Sequence, residues 1–179
     1  MVIKPIDTLI DHPSAFAAAP DTFPADQFNS GVMVITPSPT VFDELLEWNR
    51  HNGTAEGGDQ CLLNDFYSEW FYTAWDDAEV GRLPWIMNVA AASYESYRTL
   101  MRMQDRDEPT IAHFVGGESK PWTFMVLKFQ QQAERIPPSV RGLLAAWDQM
   151  YWLAKTNRLC TGQIPHELRQ RAAALLDSM

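Results

Sequence analysis

The sequence predicts an α/β domain that is followed by a helical extension. A β-branched apolar run ends the segment Phe28 to Ile35, as is typical of a buried strand, and an amphipathic helical pattern follows it. From Trp122 onward, apolar residues recur at helical spacing and no further strand pattern occurs. We therefore expect an α/β domain over residues 1–125 and a helical C-terminal extension over residues 126–179.

The first 27 residues contain little strand signal. Val2 and Ile3 begin in a strand-like way, but the following chain is rich in Ala, Pro and Asp. We expect mostly connecting chain there, followed by a central strand near Val32 that lacks the parallel neighbours it would have in a complete domain. Gly31 lies in this strand, where it permits close approach of another backbone.

Two helices are predicted after this strand. Ser38 and Pro39 have the residue types of an N-cap and a first helical position, and apolar residues then recur at helical spacing up to Gly53. A second helix is expected to begin near Asp59 and to carry an apolar stripe as far as Trp70.

Two short strands and three helical pieces complete the prediction. The strands are expected over residues 83–87 and 110–115, and the second runs directly into Gly116. Prolines at 137–138 and the segment 162–165 divide the C-terminal helical region into its three pieces.

Composition excludes several classes of function. The chain has 179 residues and a net charge of -9, so it lacks the basic surface that nucleic acids or anionic membranes require. No segment approaches the ~20 apolar residues of a membrane span, and the N-terminus lacks a secretory signal pattern. Cys61 and Cys160 form no metal motif or disulfide framework. We expect a cytoplasmic protein without nucleic-acid or membrane partners.

Three segments carry a more specific signal through their residues, order and spacing. They are FNSGVMV at 28–34, GGDQCLLN at 57–64 and HFVGGESKPW at 113–122, with smaller agreements at Ala19-Pro20-Asp21, Leu83-Pro84-Trp85 and Asn88. Over roughly residues 1–125 the chain resembles glycosyltransferase family 8, and within it the glycogenin-like members. The resemblance implies the C-terminal half of a GT-A (nucleotide-diphospho-sugar transferase) domain.

The resemblance assigns one group of residues to the leaving diphosphate. A departing nucleoside diphosphate needs positive charge near its oxygens, which a metal ion and a cationic side chain supply. By resemblance, His113 provides one metal ligand beside the two carboxylates of a D-x-D motif, and Lys120 reaches the diphosphate. Gly116 lets the backbone come close to the phosphate. The ion that the family implies is Mn²⁺.

A second group is assigned to the sugar. Asp59 is the expected catalytic carboxylate, because a carboxylate can accept hydrogen bonds from hydroxyls and stabilise a developing oxocarbenium ion. Gln60 is expected beside it. By resemblance, Asn29, Ser30 and Gly31 orient the donor sugar from the end of a rigid strand. Whether Asp59 acts as a nucleophile or as electrostatic support stays open, with support favoured.

The resemblance implies transfer of a hexose, with glucose expected, from a UDP-sugar with retention of configuration, as in glycogen biosynthesis. The expected acceptor is a saccharide, a protein tyrosine or a small polyol. The oligomeric state stays open, with a homodimer as one alternative. Tyr94 and Tyr97 are candidate self-glycosylation sites, although one register places Glu95 at the acceptor position. Both tyrosines are equally well explained as half-buried aromatic residues.

Departures from the family pattern limit these expectations. The family's D-x-D would fall just before Met1, so we expect an incomplete metal site and a chain that is inactive alone and aggregation-prone or partner-dependent. Cys61 replaces a common Gly, and the loop between Gly116 and Lys120 is one residue longer, which puts the reach of Lys120 in doubt.

Two alternatives remain. One is a galactinol synthase-like transferase with a small acceptor. The other is a non-catalytic interaction module, in which an aromatic cluster in the tail meets a partner groove instead of packing in the core. That cluster comprises Trp147, Tyr151 and Trp152.

Overall fold

The structure of the chain is a computed structural model, which describes residues 1–54, 57–116, 120–129 and 133–155. The chain forms two compact units. The first comprises residues 2–89 and 109–112, and the second comprises Met1, residues 90–108 and the chain from His113 onward. The boundary expected at residue 125 is based on element type and stays a prediction.

The first unit contains a three-stranded sheet. Its strands are β1 (Phe16–Pro20), β2 (Phe28–Ile35) and β3 (Val80–Arg82), and their order is β2-β1-β3. β1 is antiparallel to β2 and parallel to β3. The bounds of β2 confirm the strand expected there, and β2 has no parallel neighbour among the described strands, as expected, but its expected central position is wrong. Among the described strands, β1 is central and β2 lies at an edge.

β1 is central because both of its faces are buried. The side chains of Phe16 and Ala18 enter one apolar cluster with Phe28 and Trp70, and all of them are almost fully buried. Ala17 and Ala19 point to the opposite face, where they contact Leu83. Small alanine side chains let both layers approach the strand closely, so burial outweighs the low strand propensity of alanine. The expectation of mostly connecting chain before Phe28 is wrong for this segment.

The pairing of β1 with β2 contains an irregularity that shapes the unit. Ala18 lies opposite Met33, but Ala19 lies opposite Asn29, so residues 30–32 have no opposite residue and form a bulge. Residues in a bulge leave the ladder, and their backbone N–H groups need other acceptors.

Helix α1 (Pro39–Asn52) confirms the predicted capped helix. The Ser38 hydroxyl accepts a hydrogen bond from the Val41 N–H at 3.3 Å, and Pro39 occupies the first helical position. Gly53 ends the helix with φ of 66°, a left-handed conformation that favours glycine.

Helix α2 (Asp59–Phe66) begins where it was predicted but ends before Trp70. Trp70 instead starts a 3-10 turn, Trp70–Tyr72, and its indole N–H donates to the Gly81 carbonyl at 3.1 Å. The large indole is buried against the sheet, and this tertiary contact takes the chain out of the helical path.

The strand predicted over residues 83–87 lies a few residues earlier in the structure. This strand is β3, and Trp85–Met87 is a 3-10 turn that follows Pro84, which has no N–H to continue a ladder. Within 110–115, only β5 (Ala112–His113) is a strand, and it pairs with β4 (Val89–Ala90). Val2 forms a bridge with Ile111, which confirms its strand-like character.

The second unit is helical. It contains α3 (Tyr94–Met103), which was not predicted, α4 (Pro121–Phe129) and α5 (Pro138–Lys155). α5 packs on α3 and α4 through a fully buried apolar stripe comprising Val140, Leu143, Leu144 and Ala146. α4 and α5 confirm the first two helical pieces, and the third lies outside the described residues.

The expected aromatic cluster is partly visible in α5. The rings of Trp147 and Tyr151 stack with centroids 5.2 Å apart, while the side chain of Trp152 lies outside the description. Within the described part of the chain, every helix is too short or too polar to cross a membrane.

Candidate functional site

The predicted site residues of β2 and α2 meet in the first unit, where the bulge of β2 contacts the first turn of α2. The Ser30 N–H donates to the Gln60 side-chain oxygen at 3.2 Å, and the Gly31 N–H donates to the Asn29 side-chain oxygen at 2.9 Å. Two side-chain amides therefore replace the ladder partners that the bulge lacks. This arrangement holds Ser30 half-buried and Gly31 exposed.

Asp21 connects these two amides. One of its carboxylate oxygens accepts hydrogen bonds from the Gln60 amide nitrogen at 2.8 Å and from the Asn29 amide nitrogen at 3.1 Å. Its other oxygen accepts from the Thr22 N–H at 2.6 Å. Hydrogen bonds to a charged acceptor are stronger than neutral ones, so the carboxylate fixes the orientation of both amides.

Two further asparagines extend the network. Asn88, which is 7% exposed, donates from its amide nitrogen to the Asn29 side-chain oxygen at 2.9 Å and to the Asn29 carbonyl at 3.3 Å. The Asn88 side-chain oxygen is buried and accepts no hydrogen bond from the residues that the structure describes. Asn64 accepts from the Phe28 N–H at 3.0 Å and donates to the Phe28 carbonyl at 2.9 Å.

Sequence reasoning missed Asp21, Asn64 and Asn88 as site residues. Each had a signal, because Asp21 and Asn88 lie among the smaller agreements and Asn64 ends the GGDQCLLN segment. Their distance along the chain from Asn29 concealed that they share its hydrogen bonds. We call the hydrogen-bonded group of Asp21, Asn29, Gln60 and Asn88 the amide network.

Asp59 is the first residue of α2, directly before Gln60. Its carboxylate is exposed, and it makes no hydrogen bond or ion pair within the described residues. A carboxylate at a helix N-terminus is stabilised by the helix dipole. Asp59 therefore offers two free acceptor oxygens next to a side chain that is held by the amide network.

The other predicted site residues lie in the second unit. His113 is the last residue of β5 and is half-buried. Gly116 has φ of 78°, and nothing lies within 4 Å of the position a Cβ would take, so its conformation rather than space favours glycine. The Lys120 ammonium lies 5.7 Å from the centroid of the Trp122 ring. Residues 117–119, which include the longer loop, lie outside the described residues.

The two candidate acceptor tyrosines differ in exposure. Tyr94 begins α3 and is 1% exposed, and burial raises the pKa of its phenol above the ordinary value. Tyr97 is half-buried. Glu95, the residue that one register places at the acceptor position, lies 3.0 Å from Arg98 in an ion pair.

The described residues do not by themselves form a metal-binding site. Among the residues that the structure describes, no three His, Cys, Asp or Glu side chains are grouped closely enough to hold one. His113 alone offers a single imidazole, which is a weak site without further ligands. We therefore derive no chemical step through an ion.

Known proteins resemble the chain over the segments that form these sites. The chain is 36% identical to Glycogenin-1 of Caenorhabditis elegans over 122 residues, and 35% identical to Glycogenin-1 of Homo sapiens over 125 residues. It is 31% identical to Glycogenin-2 of Homo sapiens over 164 residues. No protein-family model matches the chain.

These matches cover much of this chain but a smaller part of the relatives. They include 68%, 69% and 89% of this chain, respectively, but 27%, 33% and 30% of the relatives. The chain thus spans about a third of the length of the curated relatives that it matches.

Proposed function

We propose, from the premise that this chain is a glycogenin-like member of glycosyltransferase family 8, that it binds the hexose of a UDP-sugar for transfer to an acceptor. The observation that carries the proposal is the amide network. It joins the first two of the three segments and holds Asn29, Ser30 and Asp59 at the adjoining ends of a strand and a helix.

The network explains how these residues would orient a sugar. Asn29 and Gln60 are each fixed by a hydrogen bond to the Asp21 carboxylate, so little side-chain entropy is lost when a ligand binds. The exposed backbone of Gly31 and the half-buried Ser30 then present polar groups from a rigid bulge. Positioning groups on rigid elements is what group transfer requires.

Asp59 is the residue that we propose for catalysis. Its free carboxylate can accept hydrogen bonds from sugar hydroxyls and stabilise positive charge that develops at the anomeric carbon. We propose that Asp59, at the start of α2, acts by electrostatic stabilisation and not by nucleophilic attack. We also propose that the transferred hexose is glucose and that its anomeric configuration is retained.

For the diphosphate we propose Lys120 and Gly116, as the family resemblance implies. Lys120 carries a positive charge near a helix start, and Gly116 has a left-handed conformation with no atom within 4 Å of the position that a Cβ would take. Mn²⁺ is the ion that we propose, with His113 as one ligand, and the other ligands would be groups beyond those described. Of the tyrosines, Tyr97 is the better proposed acceptor, because Tyr94 would first have to leave its buried position.

Saturation-transfer NMR with UDP-glucose and the full chain tests the proposal. The glucose protons should receive saturation in the wild type, and Asp59→Asn should weaken binding about tenfold or more, because a hydrogen bond to a charged group contributes ~1.5–3 kcal/mol. Asp43→Asn, which removes an exposed carboxylate on α1, is the matched control and should bind as the wild type does.

Two results would overturn the proposal. One is the absence of saturation transfer to glucose in the wild type, and the other is equal binding by the wild type and Asp59→Asn. Retention is tested separately by reading the anomeric configuration of a transferred glucose from its proton coupling.

A further inference from the structure

The first unit contains a groove lined by aromatic and polar side chains, which we call the aromatic groove. It is formed by the C-terminal ends of α1 and α2, the turn Trp70–Tyr72 and the residues just before β2, and its volume is about 860 Å³. This volume lies within the range of small-molecule sites in proteins. Asn64, whose side chain is bonded to Phe28, lines the groove, whereas the described residues assigned to the hexose or the diphosphate do not.

Aromatic rings line the groove and remain open to solvent. Tyr72 is 80% exposed, Phe71 is 38% exposed and Trp48 is 37% exposed. The Phe71 and Tyr72 rings meet edge to face, and Trp48 contacts Phe66 in the same way. In these contacts one ring edge meets the next ring, and the Arg82 guanidinium lies over the Phe71 ring, 5.2 Å from its centroid. Aromatic surface of this extent is usually buried unless it serves a ligand.

The polar side chains of the groove are mainly acceptors. Asp26, Gln27 and Asp65 are exposed and make no side-chain hydrogen bond or ion pair within the described residues. The Asn52 amide nitrogen donates to the Trp48 carbonyl at 3.0 Å, which leaves the Asn52 oxygen as a further acceptor. Among the described residues that line the groove there is no Lys, Arg or His, although the Arg82 guanidinium lies over the Trp70 and Phe71 rings. Phosphate and other anionic groups would therefore meet two uncompensated carboxylates.

We propose that the aromatic groove binds an oligosaccharide made of pyranose units. The C–H face of a pyranose ring is apolar and flat and can pack on the rings of Trp48 and Tyr72, while hydroxyl groups at its edge donate to Asp26 and Asp65. The amides and hydroxyls of Gln27, Asn52 and Ser68 favour a neutral, hydroxyl-rich ligand over a purely cationic one, because they offer both donors and acceptors.

This site is separate from the proposed donor site, and it is tested in the absence of any UDP-sugar. The full chain is titrated with maltohexaose and with cellohexaose, and binding is followed by isothermal titration calorimetry. Saturable binding of at least one hexasaccharide is expected. Trp48→Ala and Tyr72→Ala should each raise the dissociation constant about threefold or more, because each removes one aromatic ring from the contact with the saccharide.

Matched variants separate stacking from a loss of folding. Tyr72→Phe keeps the ring and should bind within about twofold of the wild type. Phe42→Ala removes an aromatic ring that is 60% exposed on the same helix as Trp48 but outside the groove, and it should leave binding unchanged. Tyr72 is so exposed that Tyr72→Ala should keep the thermal midpoint of the wild type.

Three results would overturn the proposal. They are the absence of saturable binding of both hexasaccharides, an equal loss of binding in Tyr72→Ala and Phe42→Ala, and salt-sensitive binding of hexalysine without binding of either saccharide. The last result would assign the groove to a cationic ligand. Binding of UDP-glucose to the donor site is measured with Asp59→Asn, so failure of one proposal does not imply failure of the other.

Discussion

The amide nitrogen of Gln60 lies 2.8 Å from the carboxylate of Asp21, although the two residues are 39 positions apart in the chain. The same carboxylate oxygen accepts a hydrogen bond from Asn29. The first turn of α2 and the start of β2 are therefore held together by an acidic residue that belongs to neither of the two segments.

Asp21→Ala should lower the free energy of unfolding by about 2 kcal/mol, because two amide donors lose a charged acceptor. Urea denaturation followed by tryptophan fluorescence measures this change. Asp26→Ala removes a nearby exposed carboxylate that makes no hydrogen bond, and its effect should stay within about 0.5 kcal/mol. Equal effects of the two substitutions would contradict a stabilising role for the amide network.

Ser38→Ala should lower the free energy of unfolding by about 1 kcal/mol, because the Val41 N–H loses the hydroxyl that caps α1. Ser38→Asp, which can accept the same hydrogen bond, should retain most of the stability. The comparison is made by urea denaturation with circular dichroism. A loss in Ser38→Asp as large as that in Ser38→Ala would argue against capping.

Gly81→Ala should destabilise the first unit by about 1–3 kcal/mol, as overpacking does. A Cβ at this position would overlap the Ser14 hydroxyl and lie 3.0 Å from the Trp75 carbonyl. The cost should be smaller in a Ser14→Gly background, because that change removes the overlapping atoms. A double-mutant cycle of urea denaturation measures the coupling, and additive effects would exclude the clash as the cause.

Tyr94 should make stability depend on alkaline pH. Burial raises the pKa of its phenol in the folded chain, whereas the unfolded chain ionises near pH ~10. The stability that the neutral phenol contributes is therefore fully present below pH ~10 and is lost as pH rises through the folded pKa.

The Tyr94→Phe variant lacks the phenol that ionises. Its free energy of unfolding should therefore fall less than that of the wild type between about pH 9 and about pH 11. Some loss remains, because burial also raises the pKa of Tyr67, with Glu44 adding to the shift. Thermal midpoints measured across this range test the prediction. Tyr72→Phe, at a phenol that is 80% exposed, should follow the wild type, and identical curves for all three proteins would contradict it.

The helices were easier to predict than the strands. The bounds of α1 could be predicted from a serine N-cap, a proline in the first turn and a glycine at the end. These signals are local, and no tertiary contact overrides them. β1 depends on burial of three alanines between two layers, and alanine carries no strand signal of its own. Trp70 leaves the predicted helix because its indole meets the Gly81 carbonyl, which a periodic pattern cannot reveal.

The candidate site was predictable where its residues lie within a recognisable segment. Asn29, Ser30 and Gln60 were expected near a sugar, and in the structure Ser30 donates to Gln60 while Asn29 and Gln60 both donate to Asp21. Asp21 was missed because its role depends on the bulge, which changes the partner of Asn29 and cannot be read from spacing. The functions of all these residues stay predictions until ligand binding is measured.

Asn64 has a consequence for association between molecules. Its side chain accepts from the N–H and donates to the carbonyl of Phe28, which are the two bonds that an adjoining peptide would make. Asn64 of α2 thus occupies the two backbone groups of Phe28 that a neighbouring strand would bind. This contact prevents another molecule from pairing with the beginning of β2. Among the described strands, the stretch from Met33 to Ile35 pairs with β1 on one side and with no strand on the other.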